Sequence, residues 1–285
     1  IRHQTGGALG GPIQTNKTFF FGLVQRDSTR SSASKGATIV MPTAKGFADH
    51  QNVPLRAGQS QASRQAMLNS LAFLSDVYAQ GPVFLNKGLK PLPVNGVNIE
   101  VDQAYITRSA PSEYIFYMLR LDHQFSDRDR LTLRLTRYPQ NDEAVTSNTQ
   151  FGTRFSADQN IKDQNIALSE THSFSAKALN EFRFSYIRRN LDFPEVDPTT
   201  PTTGIGGMFT IGGSSNFPQG RIQDSFQFSD LFTYQTGRHT LKAGVDIRYI
   251  RLDNRASFNS KGSFTFTNLQ DFMNNYATQF TQALQ

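Results

Sequence analysis

The chain has 285 residues, 37% hydrophobic and 18% charged, with a formal net charge of +6 and no cysteine. The missing cysteines exclude disulfides and thiolate metal sites, and no run of about 18 apolar residues offers a membrane-spanning helix. Lys and Arg are scattered among acids without a basic cluster or a stacking motif, which argues against nucleic acid as a partner.

Phenylalanine is over-used, at 24 residues, and its distribution marks the first elements. Gly6 to Ile13 reads as a glycine-rich strand, Gln14 to Lys17 as a polar turn, and Thr18 to Val24 as an aromatic strand. Glycines inside strands mark bends or close backbone approach; the alternative for this stretch is a glycine-rich linker. Residues 29–111 then form a long insertion, opened by the polar stretch Thr29 to Ser34. A helix is expected near 59–78, where Met67, Leu71, Leu74 and Tyr78 follow helical spacing and Gly81-Pro82 stops it. A connection of this length should carry structure of its own.

The second hairpin is expected over 112–138. Ile115, Tyr117, Leu119, Leu121, His123 and Phe125 share one face, while Arg120, Asp122 and Gln124 share the other. After a turn at Ser126 to Asp129, Leu131, Leu133 and Leu135 alternate with Thr132, Arg134 and Thr136. The third hairpin covers 160–193, with Ile166, Leu168, His172 and Phe174 before the turn and Phe182, Phe184 and Tyr186 after it; Arg183 lies on the polar face, and Glu170 interrupts the apolar one. A loop rich in Pro, Thr, Gly and Ser runs from Pro194 to Gly220.

The clearest alternation is in Ile222 to Asp253. Leu241, Ala243, Val245, Ile247 and Tyr249 alternate strictly with Lys242, Gly244, Asp246 and Arg248. Thr236 to His239 is the turn joining this segment to Phe226, Phe228, Leu231, Phe232 and Tyr234. Ser263 to Thr267 reads as a short strand and Leu269 to Phe280 as a helix.

Connections of about four residues alternate with connections of about twenty to eighty. Together with strands of about 12 to 15 residues, this predicts an all-β fold, an antiparallel transmembrane β-barrel segment of about eight long strands, with short periplasmic turns and long external loops. A tilted spanning strand needs only about 9 to 11 residues, so these would project beyond the lipid. Outer-membrane lipid and lipopolysaccharide are then the expected surroundings. A soluble β-rich binding module is the competing reading, though sandwich strands are shorter and more evenly spaced.

Several phrases bear on this choice. Gly6-Gly7-Ala8-Leu9-Gly10-Gly11-Pro12-Ile13 followed by Asn16-Lys17-Thr18-Phe19-Phe20-Phe21-Gly22 resembles the first barrel hairpin of TonB-dependent outer-membrane receptors, closest to the Oar-like group. Met41-Pro42-Thr43-Ala44, Leu121 to Leu131 and Gly237 to Arg248 resemble later phrases of that group, in family order. The resemblance implies energised uptake through a barrel of about 22 strands whose lumen holds a plug domain, with TonB pulling through an N-terminal box. Residues 1–285 are read accordingly as a partial barrel domain. Plug, box and C-terminal barrel are expected outside it, and the upstream part would reach TonB. A self-contained eight-stranded porin or adhesin is the other membrane alternative.

No enzyme chemistry is expected. His3, His50, His123, His172 and His239 form no i, i+3 or i, i+4 pair. Gly204-Ile205-Gly206-Gly207 lacks the lysine of a phosphate loop, and no Gly-x-Ser-x-Gly elbow occurs. No cofactor or metal is therefore assigned. The side chains expected to face a lumen, toward a plug or a substrate path, are Arg120, Asp122, Arg134, Arg183, Lys242, Asp246 and Arg248.

Overall fold

A computed structural model describes residues 1–30, 34–35 and 37–283. Residues 31–33 of the polar stretch Thr29 to Ser34 lie outside these. Eight long strands form one antiparallel sheet: β1 (Arg2–Gln14), β2 (Thr18–Thr29), β3 (Ser112–Ser126), β4 (Asp129–Ser147), β5 (Ser156–Ser175), β6 (Ala178–Phe193), β7 (Gln219–Thr236) and β8 (His239–Ala256). They pair in chain order. Among the described residues β1 and β8 each pair on one side only, so the sheet is open rather than a closed barrel.

The short turns all lie at one end of the sheet and the long connections at the other, as a meander of antiparallel neighbours requires. Two of the short turns use left-handed backbone, at Asn16 (φ 60°) and Gly237 (φ 57°). These residue types adopt that conformation at least cost and match the twist of a hairpin. Lys17 N–H closes the first turn on Gln14 O at 3.0 Å.

Residues opposed across antiparallel strands lie on the same face. One row reads Leu9, Gly22, Leu119, Leu135, Ile166, Tyr186, Phe226 and Tyr249 across all eight strands. The next row toward the short turns is Gly11, Phe20, Leu121, Leu133, Leu168, Phe184, Phe228 and Ile247. This apolar face belongs to no protein core. On β8, Val245, Ile247 and Tyr249 are 54%, 58% and 62% exposed.

The strands are longer than their hydrophobic patterns. β4 and β5 continue through the polar segments 139–147 and 156–163, shrinking the connection expected to span about twenty residues to 148–155. Alternation cannot mark these ends, because both faces there are polar. Their pairing also shifts register between Asp142 and Thr146.

The long connections fold together into a cap with its own core. In the insertion, Ile39–Pro42 pairs with Val101–Tyr105, which also pairs with Val83–Phe84. Helix α1 (Ala44–Asp49) follows Thr43, whose hydroxyl accepts from Gly46 N–H at 3.2 Å. Only glycine fits at 46, since a Cβ there would lie 2.0 Å from Glu100 O.

The helix expected near 59–78 is two helices, α2 (Gln61–Leu71) and α3 (Leu74–Ala79). The chain bends at Ala72-Phe73, and the bend buries both Phe73 and Leu74. The helix expected from Leu269 to Phe280 stops sooner, as α4 (Leu269–Met273). Asn275 takes φ 54°, and Phe280 instead joins a short strand opposite Phe264, with ring centroids 4.6 Å apart.

Phe73, Phe151 and Phe209 meet edge to face in the cap, and Phe266 meets Phe272 in the same way. Polar contacts tie the connections to one another: Asn95 and Asn274 exchange amide hydrogen bonds of 2.8 and 3.2 Å, and Asn148 Nδ2 donates to Thr210 O at 2.6 Å. Lys261 Nζ lies 2.7 Å from Glu195 Oε1, with both side chains buried. The 29–111 insertion thus shares one core with 151–155, 205–211 and 266–273.

Phe272 is fully buried. Its truncation in Phe272→Ala should cost about 3–5 kcal/mol of cap stability. Limited proteolysis should then cut the long connections faster, while heat-modifiable gel mobility of the strands persists. A second expectation concerns Asp197. Desolvation raises its carboxyl pKa, but hydrogen bonds from the side chains and backbone N–H groups of Thr200 and Thr199 outweigh that and lower it to about 2. A carboxyl depressed in the folded state stabilises fully above its unfolded value, about 4, and loses that contribution as pH falls toward 2. Protection of the 197–200 amides, measured against their intrinsic exchange rates, should fall over that window, and Asp197→Asn should remove that fall.

Candidate functional site

The polar face of the sheet is the candidate site. β3 places Arg120 and Asp122 there, β4 places Thr132 and Arg134, and β5 and β6 add Ser169, Arg183 and Ser185. β7 and β8 contribute Gln227, Ser229, Asp246 and Arg248. The register puts all seven sequence-predicted residues on this one face. Arg120, Arg134 and Arg248 belong to a row completed by Ala167, Ser185 and Gln227. Asp122, Arg183 and Asp246 belong to the adjacent row, with Thr132, Ser169 and Ser229. Lys242 lies opposite Thr233, two rows nearer the short turns. A groove of about 600 Å³ lies over the middle of this face, lined by Arg120, Arg134, Arg183 and Asp246 together with Ser and Thr hydroxyls.

Hydrogen bonds fix part of this surface. Arg120 grips Asp122 through Nε and Nη2, each at 2.8 Å, and Thr132 Oγ1 donates to the same carboxylate at 2.7 Å. Gln227 joins the last two strands: its Nε2 donates to Asp246 Oδ2 at 2.7 Å, and its Oε1 accepts from Arg248 Nη2 at 3.2 Å. Arg183 lies 3.6 Å from Glu181, a loose contact. Arg134 and Lys242 have no hydrogen bond or ion pair with another described residue. The arrangement supplies fixed positive charge and hydroxyls along an open face. None of the predicted groups forms a nucleophile–base pair.

Some contributors escape sequence reading. Gln227 is an ordinary polar residue until register places it between Asp246 and Arg248. Toward the long connections the same face carries Arg2, Asp27 and Tyr114, joined by Arg2 Nε to Asp27 at 2.7 Å and Tyr114 OH to Asp27 at 3.1 Å. The face is not polar throughout: Phe19, Phe21 and Leu23 of β2 share it with Arg120 and Asp122, so β2 is apolar on both sides.

On the other face the structure assembles Asp129, Glu170 and His172, with one ligand atom from each lying within 4.8 Å of the others. His172 Nδ1 hydrogen-bonds Asp129 Oδ1, and Ser126 Oγ donates to Asp129 Oδ2 at 2.6 Å. These bonds account for Asp129 and His172 without an ion. The proximity is cross-strand, so helical ligand spacing could not reveal it. His123, expected near the same level, accepts or donates in a 2.8 Å bond to Thr18 Oγ1.

Comparison with known proteins gives one family. A family model described as "Outer membrane beta barrel domain" matches residues 1–285. No curated protein matches the chain.

The bonding pattern separates two substitutions. Asp122→Ala removes the acceptor for both Arg120 and Thr132 and should lower unfolding free energy by about 1 kcal/mol. Arg134→Gln breaks no bond and should stay within about 0.5 kcal/mol. Reversible urea unfolding from lipid vesicles measures both.

Proposed function

The chain belongs to the outer-membrane β-barrel domain family, proteins of the bacterial outer membrane, and from that premise we propose that its sheet is one sector of the wall of a larger transport barrel. The observation that carries this is the pair of open edges. In hydrocarbon every backbone N–H and C=O needs a partner, so spanning strands must close on themselves. β1 and β8 stand at opposite edges and do not pair with each other. Strands outside this sheet would therefore complete the ring. An eight-stranded porin or adhesin would need β1 paired with β8.

The closer reading is a TonB-dependent receptor of the Oar-like group, with about 22 strands in the full ring. Its support is the family-like phrases and the alternation of short turns with long connections. On this reading the short turns are periplasmic and the cap is external. Arg120, Asp122, Arg134, Arg183, Lys242, Asp246 and Arg248 face the lumen, where they meet a plug domain or line the passage. TonB would act through the N-terminal part of the intact receptor. The protein is then a passive wall with a substrate-contacting cap, and it carries out no covalent chemistry.

Substrate uptake by cells carrying the intact protein tests this. Uptake should be lost when the inner-membrane motor is deleted or the proton gradient is collapsed. Uptake that persists without the motor, or ion conduction by residues 1–285 alone as a closed pore, would contradict the receptor reading.

A further inference from the structure

The outward face carries a second feature, on the side of the long connections. Immediately above the row of Leu119, Leu135 and Ile166, the next row presents Tyr117, Arg137, Gln164 and Arg188 on four adjacent strands. One row further out is Lys162. Arg137, Lys162 and Arg188 thus come from three neighbouring strands, about 5 Å apart laterally, in rows about 7 Å apart. Arg137 and Lys162 are exposed and have no hydrogen bond or ion pair with another described residue. The nearby acids are already engaged: Glu113 holds Arg26 at 2.8 Å, and Asp224 lies 3.5 Å from Arg188 and accepts from Tyr186 OH at 2.8 Å.

Beside these cations runs an apolar groove of about 910 Å³. Leu9, Val24, Tyr117, Leu119 and Ile166 line it, and Arg137 and Gln164 stand at its border. Glycine creates the space, since a Cβ at Gly7 would meet no atom within 4 Å. An apolar slot beside two unpaired cations, Arg137 and Lys162, and an Arg188 that Asp224 holds only loosely at 3.5 Å, is amphipathic in the order a lipid requires, with chain below and anionic head above.

We propose that this is a binding site for a phosphorylated glycolipid of the outer leaflet, with Arg137, Lys162 and Arg188 holding headgroup phosphate and the groove beside Gly7 receiving an acyl chain. The inference rests on the membrane reading above, which places the long connections outside. Charge complementarity selects the ligand class. Three cations from adjacent strands match several phosphates on one large headgroup better than the single phosphate of a glycerophospholipid, and guanidinium groups bind phosphate through paired hydrogen bonds.

The test uses the intact protein in detergent with fluorescent lipopolysaccharide as the probe and phosphatidylglycerol as competitor. Arg137→Gln/Lys162→Gln should weaken lipopolysaccharide binding about tenfold to thirtyfold, from roughly 1 kcal/mol per cation. Gly7→Leu, at a position where a Cβ meets no atom within 4 Å, should fill the groove and weaken binding without touching a charge. Arg56→Gln/Lys90→Gln, cations of the cap, should bind as the parent does. Unchanged binding by the folded double variant, or equal competition by phosphatidylglycerol, would overturn the site. Insertion into phosphatidylcholine vesicles, followed by heat-modifiable mobility, separately tests the membrane reading, so a protein that inserts but binds no lipopolysaccharide defeats this inference alone.

Discussion

The governing constraint is that peptide groups in hydrocarbon have no water to bond. A strand there survives only with neighbours on both sides. This accounts for the long antiparallel ladder, the tight two-sided turns and the absence of irregular backbone within the eight strands apart from register shifts near their ends. It also explains why the apolar face packs against no protein core, since that face is solvated by lipid. Gly7 and Gly11 leave the β1 surface with Leu9 alone between two positions without side chains, so this edge depends on pairing more than on packing.

The wall and the cap obey different physics. The wall is held by backbone bonds and exposes apolar side chains. The cap is held by a conventional buried core of Phe, Leu, Ile and Met, with helices capped by Thr43 and Ser60. The two meet where β4 and β5 extend beyond their hydrophobic pattern and the connection between them, 148–155, places Phe151 and Phe155 in the cap core. Strand projection thus serves a purpose. It supplies a rigid stem on which connections distant in sequence, such as those holding Asn95 and Asn274, can find each other.

Strict alternation made the faces legible. Lys242, Asp246 and Arg248 were assignable from period two alone, and the seven predicted residues do share one face. The register was not legible in the same sense: pairing Gln227 with Arg248, or bringing Asp129 to His172, requires knowing which residues oppose each other. Strand ends at 139–147 and 156–163 were illegible because neither face is apolar there. The helices end earlier than their apolar spacing for a local reason. Apolar spacing continues through Ala72-Phe73 and past Met273, but a bend in one place and a left-handed Asn275 in the other redirect the chain. On β2, Phe19 and Phe21 break the expected polarity and stand 43% and 37% exposed on the polar face.

The central claim is that one face of the sheet meets lipid and the other meets water. Residues 1–285 hold no cysteine, so single spin labels can be placed at successive positions from Leu241 to Tyr249 of β8 in the intact protein in bilayers, once any cysteine outside these residues is replaced. Accessibility to oxygen should peak at 241, 243, 245, 247 and 249, and accessibility to a water-soluble nickel chelate should peak at 242, 244, 246 and 248. Uniform access of the chelate along the strand, or both reagents in phase, would contradict the account.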